Sequence, residues 1–367
     1  MIAGYLSRLK DTLAMLKKEA QLADLSFPEM LWQTSKFCLK TRLGPRYFVV
    51  AGMARKNFKE ADKWQHISAR EYYHALDKLN PPLYRKLTQS KLSEKALYQL
   101  LHIPTAQMLG YFHPINGVTE SGATLTTAGA LEQLLKQHAG SMVMLKPLEG
   151  FGGVGVLAIA ITYSGDELQL QSVGEQKSYN AEQLVNFYRR KNQHPEFMLE
   201  AYIRQSAQFA SFNPSSLNTL RLWVLETAPD QAEVIGGYLR IGRAGKVIDN
   251  ASAGGIMCPV ALATGELQPG LIKKTPHRDD ICQHPDHAAP LAGVILEQWP
   301  QIKQFAEKVL IALPHTRFAG LDITMTGHQA PLLIESNVAP DKDGAAHGNI
   351  PSIKLKRVAR KHNVKQY

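Results

Sequence analysis

Of 367 residues only three are cysteine, and Cys38, Cys258 and Cys282 stand far apart. So few, in odd number, are not a disulfide framework, and a reducing cytoplasm is the expected setting. Long apolar runs are missing too: none approaches the roughly 18 residues that a membrane span needs. The opening MIAGYLSRLKDTLAMLKKEA is charged too early and lacks an h-region, so no signal peptide is expected. There is no low-complexity tract and no repeat of fixed period. Aromatics interleaved with basic residues, as single-stranded nucleic acid requires, are also absent, so no specific nucleic-acid partner is expected. No Ser/His/Asp or Cys/His arrangement stands out, which argues against a side-chain nucleophile.

What is present is a chain able to bury two or three compact units, with 44% hydrophobic and 20% charged residues. Its net charge of +10 sits at the ends. Residues 1–100 hold 18 Lys/Arg against 9 Asp/Glu, and residues 352–367 hold 6 against none, leaving a mildly acidic middle. An anionic partner at the basic ends is one reading. Solvated helix faces and a frayed tail are the other, and the preferred one.

Ile2, Tyr5, Leu6, Leu9, Leu13 and Leu16 recur at helical spacing and predict an amphipathic first helix. Helical patterns continue to about residue 100, broken at Leu43-Gly44-Pro45 and Asn80-Pro81-Pro82. Beyond 101, runs such as MVML, FMLEAYI, TLRLWVL and PLLIE alternate with helical stretches such as AEQLVNFYRRK. Strands and helices so interleaved predict an α/β or α+β body. The expected organisation is a helical region over 1–87, this body over 88–351 and a basic tail over 352–367.

Two stretches carry chemistry. In LKPLEGFGGVGV (145–156), Gly150, Gly152 and Gly155 satisfy G-x-G-x-x-G, yet Val154, Val156, Ile159 and Ile161 alternate after them as a strand. A dinucleotide-binding loop needs a helix there, so this is a glycine hairpin. Nor is it a Walker loop, because Lys146 precedes the glycines. Such a hairpin can cover a triphosphate with its amides, Lys146 adding positive charge, or it can be a tight turn and no more. In AGLDITMTGHQAPLLIESNVAP (319–340), a second hairpin turning at Gly327 puts Asp322 in one strand and Glu335 and Asn337 at the end of the next. Two apart, Glu335 and Asn337 share a face. Two carboxylates and an amide form a hard oxygen set suited to Mg²⁺. Solvated hairpin ends are the plainer alternative.

On these residues the chain resembles the ATP-grasp superfamily over roughly 88–350, in which two α+β subdomains grip ATP. The resemblance implies an α+β ATP-grasp fold, with a flap subdomain near 120–200 and a metal-binding subdomain near 201–351, and with ATP and Mg²⁺ as cofactors. Lys91, ahead of a helix and the HIP turn, and Lys146 would meet phosphate, beneath a flap of Glu149, Gly150, Gly152 and Gly153. His102 stands where glycine is usual in the family, and Ser90 where aspartate is common. Glu200, Tyr202 and Ile203 would lie at adenine. Asp322, Glu335 and Asn337 match the magnesium ligands.

A finer resemblance, to sugar-transfer-associated proteins of the glutamate-ligase-like branch, rests on NPSSLNTLRLWVL, GGYLRIGRAGKVIDNASAGGI and QHPDHAAPLAGVILEQWP. There Arg221, Arg240 and Asn250, with Gly254-Gly255, would surround phosphates and the acceptor carboxylate. The implied activity is ATP-dependent joining of a carboxylate to an amine through an acyl phosphate, on small-molecule or glycan-linked substrates. A phosphotransferase acting on a hydroxyl and a nucleotide-binding module without turnover are the alternatives. His277, Cys282, His284 and His287 fit no common zinc spacing, and no zinc is expected.

Overall fold

The computed structural model describes residues 2–150, 152–165, 167–174, 177–191, 195–250, 254–272 and 280–361. Five helices open the chain: α1 Ile2–Leu22, α2 Phe27–Thr41, α3 Pro45–Val50, α4 Glu60–Lys63 and α5 Ala69–Leu79. Local chemistry starts them. Ser26 and Ser68 accept from the amides of Glu29 and Glu71, whose carboxylates reach back to the cap amides, and Pro45 opens α3 with its φ already set. The segment from α1 to Trp64 packs around a core of Met15, Leu16, Met30, Phe37, Phe48 and Met53, which Ala346 near the C-terminus joins. Helix α5 does not share it.

After α6 (Lys91–Leu100) come two antiparallel sheets. The first contains β1 Met108–Phe112, β2 Val118–Thr119, β3 Met142–Pro147, β4 Leu157–Ser164, β5 Glu167–Ser172, β6 Ser178–Tyr179 and β7 Phe197–Ala201. Its order is β2-β1-β7-β3-β4-β5-β6. Helices α7 (Ala128–Gln137) and α8 (Ala181–Lys191) bury Leu131, Leu135, Leu184 and Tyr188 with its strand residues. This layer begins earlier than the 120 expected, because β1 pairs with β7.

Following α9 (Ala207–Phe212), the second sheet holds β8 Thr219–Ala228, β9 Gln231–Ile241, β10 Ile256–Pro259, β11 Leu271–Ile272, β12 Phe318–Met325 and β13 Pro331–Asn337, in the order β11-β10-β9-β8-β12-β13. Side chains alternate across it. Leu220, Leu222, Val224, Leu321 and Ile323 share a core with α10 (Trp299–Ala312), while Trp223, Leu225 and Phe318 pack with α5 and with α12 (Ile353–Lys361), which follows the short α11 (Gly344–His347).

Two expectations on organisation change here. Helix α5, assigned to the N-terminal region, is part of the body: Tyr72, Leu76 and Leu79 lie on the second sheet, and buried Asn80 ties it down. Its side-chain N–H groups donate to the carbonyls of Phe318 and Val338, both at 2.6 Å, and its oxygen accepts from the amides of Arg317 and Phe318. The expected basic tail is helical over 353–361, with Leu355 and Ala359 buried and Lys356 paired with Glu71 of α5; residues 362–367 lie outside the described residues. Among the described residues no helix is long and apolar enough to cross a membrane.

Candidate active site

The glycine stretch is a hairpin turn, as its sequence predicts. Strands β3 and β4 pair antiparallel from Met142–Ala160 to Leu145–Leu157, and β4 starts at Leu157, leaving Val154 and Val156 in the turn. Gly150, Gly152, Gly153 and Gly155 all have positive φ. At Gly153 a β-carbon would come within 2.8 Å of Ile248, so the turn lies directly on the segment after β9. Asn250 from that segment donates its side-chain N–H to the Gly152 carbonyl at 2.6 Å. Lys91 holds the base of the turn: its amide donates to Leu148 and its ammonium to Gly150, at 3.1 and 3.2 Å. Glu149 is exposed.

Behind the turn, Lys146 at the end of β3 pairs with Glu200 of β7, whose side chain is only 1% exposed. A second lysine, Lys95 of α6, reaches the other Glu200 oxygen at 2.7 Å and also donates to Thr105. Burial alone would raise the Glu200 carboxyl, but Lys146 and Lys95 outweigh it and hold the group ionised. Tyr202 and Ile203, half-buried, continue from β7, the Tyr202 amide donating to Met142.

On the second sheet, the face turned away from α10 carries a row of charge. Tyr238, Arg221, Asp322 and Glu335 are direct neighbours across β9, β8, β12 and β13. Arg221 grips Asp322 through two nitrogens, and Arg240 donates to Asp322 Oδ2 at 2.8 Å and to Asp249 Oδ1 at 2.6 Å. Burial would raise the Asp322 carboxyl; the two guanidinium groups instead hold it at about 2. Burial likewise opposes charge on both arginines, and Asp322 and Asp249 more than compensate. Glu335 is different. It lies 3.8 Å from Arg221, is 40% exposed, and accepts from Asn337 Nδ2 at 3.1 Å. A bulge between Asp322 and Ile323 pairings shifts β13 by one residue. Leu333 and Ser336 are thereby buried, while Glu335 and Asn337 reach the open side.

Helix α6 joins the two halves through consecutive residues. Lys95 holds the first sheet at Glu200, and Glu94 holds the second, accepting from the Ser336 amide at 2.7 Å, the Ser336 hydroxyl at 2.8 Å and the Tyr98 hydroxyl. Ser336 sits between Glu335 and Asn337, so Glu94 fixes the strand end that presents them. Lys95, Glu94 and Asp249 were not singled out from sequence. Only Lys95 left a signal there, as a second lysine one helical turn after Lys91.

The histidine segment plays another part. His284 is buried, with Nε2 at 2.9 Å from the Gly242 carbonyl and Nδ1 accepting from the Asp286 amide. Asp286 in turn clamps Arg243 and the Ala244 amide, bracing the loop that leads to Asp249 and Asn250. His277 lies outside the described residues. Among the described residues no three His, Cys, Asp or Glu side chains converge on one point for a metal.

Two α+β layers, a lysine-backed glycine turn on one and an arginine–carboxylate row on the other, define an ATP-grasp architecture. The chain belongs to the sugar-transfer associated ATP-grasp family, whose profile matches residues 69–353. That match starts at α5, the helix that packs on the second sheet. No curated protein matches the chain in sequence. Similar solved structures include biotin carboxylase from Campylobacter jejuni in a β-γ-ATP complex, with 12% identity, 78% of this chain and 50% of that one covered and a TM-score of 0.46. The biotin carboxylase domain of Hydrogenobacter thermophilus 2-oxoglutarate carboxylase, solved with MgADP and bicarbonate, shows 14% identity, 76% and 47% coverage and a TM-score of 0.42. D-alanine-D-alanine ligase from Coxiella burnetii shows 13%, 75% and 57%, and 0.40. The chain thus spans about half the length of the solved structures it matches.

Proposed function

We propose that this protein is an ATP- and Mg²⁺-dependent ligase of the cytoplasm that joins a substrate carboxylate to an amine through an acyl phosphate. One observation carries the reading. Residues 249 and 250 tie the glycine turn to the charge row, Asn250 bonding Gly152 while Asp249 bonds Arg240. Phosphate beneath the turn would therefore meet cations from both layers.

The donor set suits Mg²⁺. Glu335 and Asn337 offer neighbouring hard oxygens on the open side, and Asp322 is the third once a guanidinium leaves it. Mg²⁺ held there would supply neutralisation of phosphate charge. The chain's own residues do the rest. Lys91, Lys146 and the amides around Gly150, Gly152 and Gly153 bind phosphate, with Glu149 at the mouth. Glu200, Tyr202 and Ile203 line the adenine end. Arg221 and Arg240, planar forks already charged, hold the oxygens of the acyl phosphate while an amine displaces phosphate. Positioning and electrostatics suffice for such transfer without a side-chain nucleophile.

The test is ATP turnover with Mg²⁺, pooled carboxylates and hydroxylamine, wild type beside Glu335→Gln. ADP together with a hydroxamate, both lost in the variant, supports the ligase. ADP with a phosphoester and no hydroxamate overturns it in favour of a phosphotransferase.

A further inference from the structure

Glu200 lies between two lysines, and one carboxylate cannot balance both. Its side chain is 1% exposed, against 7% for Lys95 of α6 and 16% for Lys146 of β3. Among the described residues neither ammonium pairs with a second carboxylate; Glu94, next to Lys95, bonds Ser336 on the other sheet. The cluster therefore holds one positive charge in excess, largely out of water, where an unmatched charge is destabilising until an anion meets it.

The two lysines are not equivalent. Lys95 is anchored: besides Glu200 at 2.7 Å, its ammonium donates to the Thr105 hydroxyl and to the Ala106 carbonyl, the latter at 3.4 Å. Thr105 is fixed in turn by a bridge to Leu333 of β13. Lys146 is the more exposed of the pair, and among the described residues its ammonium bonds Glu200 alone. Of the two, Lys146 is the one free to turn away. We propose that Lys95 is a positioning residue, which remains the counterion of Glu200 while Lys146 turns to the phosphates of a bound nucleotide. Without Lys95, Lys146 would be the sole partner of a buried carboxylate, and its departure would strand that charge. The inference rests on the reading of Lys146 as a phosphate ligand. It adds to that reading a residue that touches no phosphate itself.

The experiment is calorimetric titration of the full chain with ADP in the presence of Mg²⁺. Wild type is compared with Lys146→Met, Lys95→Met, Glu200→Gln and the double variant Lys95→Met/Glu200→Gln. Lys95→Met should weaken binding about tenfold, the loss of one charge-assisted contact from a lysine now held on Glu200. In the Glu200→Gln background no carboxylate holds Lys146, so the same substitution should change affinity less than about twofold. A direct phosphate contact from Lys95, or a merely structural role, would weaken binding equally in both backgrounds, and that result overturns the proposal. Unchanged affinity in Lys95→Met overturns it as well. Lys146→Met separates the two levels. If it binds ADP like wild type, or if wild type binds none, the phosphate role of Lys146 falls and the proposal with it. If it weakens binding while Lys95→Met does not, only the role of Lys95 falls.

Discussion

Replacing Asp322 by Asn and Glu335 by Gln should divide two roles that one hairpin places side by side. The Asp322 side chain is 3% exposed and is shared by Arg221 and Arg240, themselves 13% and 16% exposed. Removing its charge leaves two buried guanidinium groups undercompensated, and breaking such a pair costs about 3–5 kcal/mol. The lower end applies, because Asp249 still holds Arg240. Glu335 is 40% exposed and 3.8 Å from its nearest cation, so its neutralisation should cost less than about 1 kcal/mol. The assay pairs urea denaturation at neutral pH with nucleotide binding at increasing Mg²⁺. Asp322→Asn should lose both stability and Mg²⁺ dependence; Glu335→Gln should keep stability and lose only the Mg²⁺ dependence of binding. Acid adds a check. A carboxyl held at about 2 rather than 3.8 stabilises the fold above the unfolded value, and that contribution disappears as pH falls toward 2. At close to two pH units it amounts to roughly 2 kcal/mol, and the Asn variant should lack that part of the acid transition. Equal destabilisation by both substitutions, or intact Mg²⁺ dependence in Glu335→Gln, would refute the assignment.

Two further outcomes follow from the packing. Burial raises the Glu94 carboxyl to about 7, only partly offset by the bonds from Tyr98 and Ser336. The folded state therefore holds this proton more tightly; its contribution is complete below about 4.5 and is lost as pH rises to 7, roughly 3 kcal/mol in all. Glu94→Gln should flatten that part of the stability profile, and a slope identical to wild type would show that Glu94 is not the group responsible. Asn80→Ala removes four hydrogen bonds, three of them buried, between the end of α5 and residues 317–318 and 338. It should cost about 2–4 kcal/mol, read as a drop in the urea midpoint, and a loss below about 1 kcal/mol would mean that water or a rearranged loop takes over the bonds.

Local chemistry alone determined both hairpins, the helix starts at Ser26, Ser68 and Pro45, and the adjacency of Glu335 and Asn337. The two departures from the family pattern also have local causes, which the structure supplies. His102, in place of the usual glycine, adopts the left-handed φ of +53° that explains the glycine, and Ser90, in place of aspartate, caps α6 by accepting from Ser93. These features depend on residues a few positions apart, where spacing and conformational preference are enough. What the chain order hid are the partners. Glu94 meets Ser336 across 242 positions, and Asp322 meets Arg221 across 101. No periodicity marks a carboxylate as a brace for arginines as well as an oxygen donor; that depends on which strands become neighbours. The C-terminal segment makes the same point. Its run of basic residues reads as a solvated tail, yet Leu355 and Ala359 fall on the side that α5 and the second sheet cover. Composition describes one face of a helix, and only the tertiary structure decides whether the other face has somewhere to go.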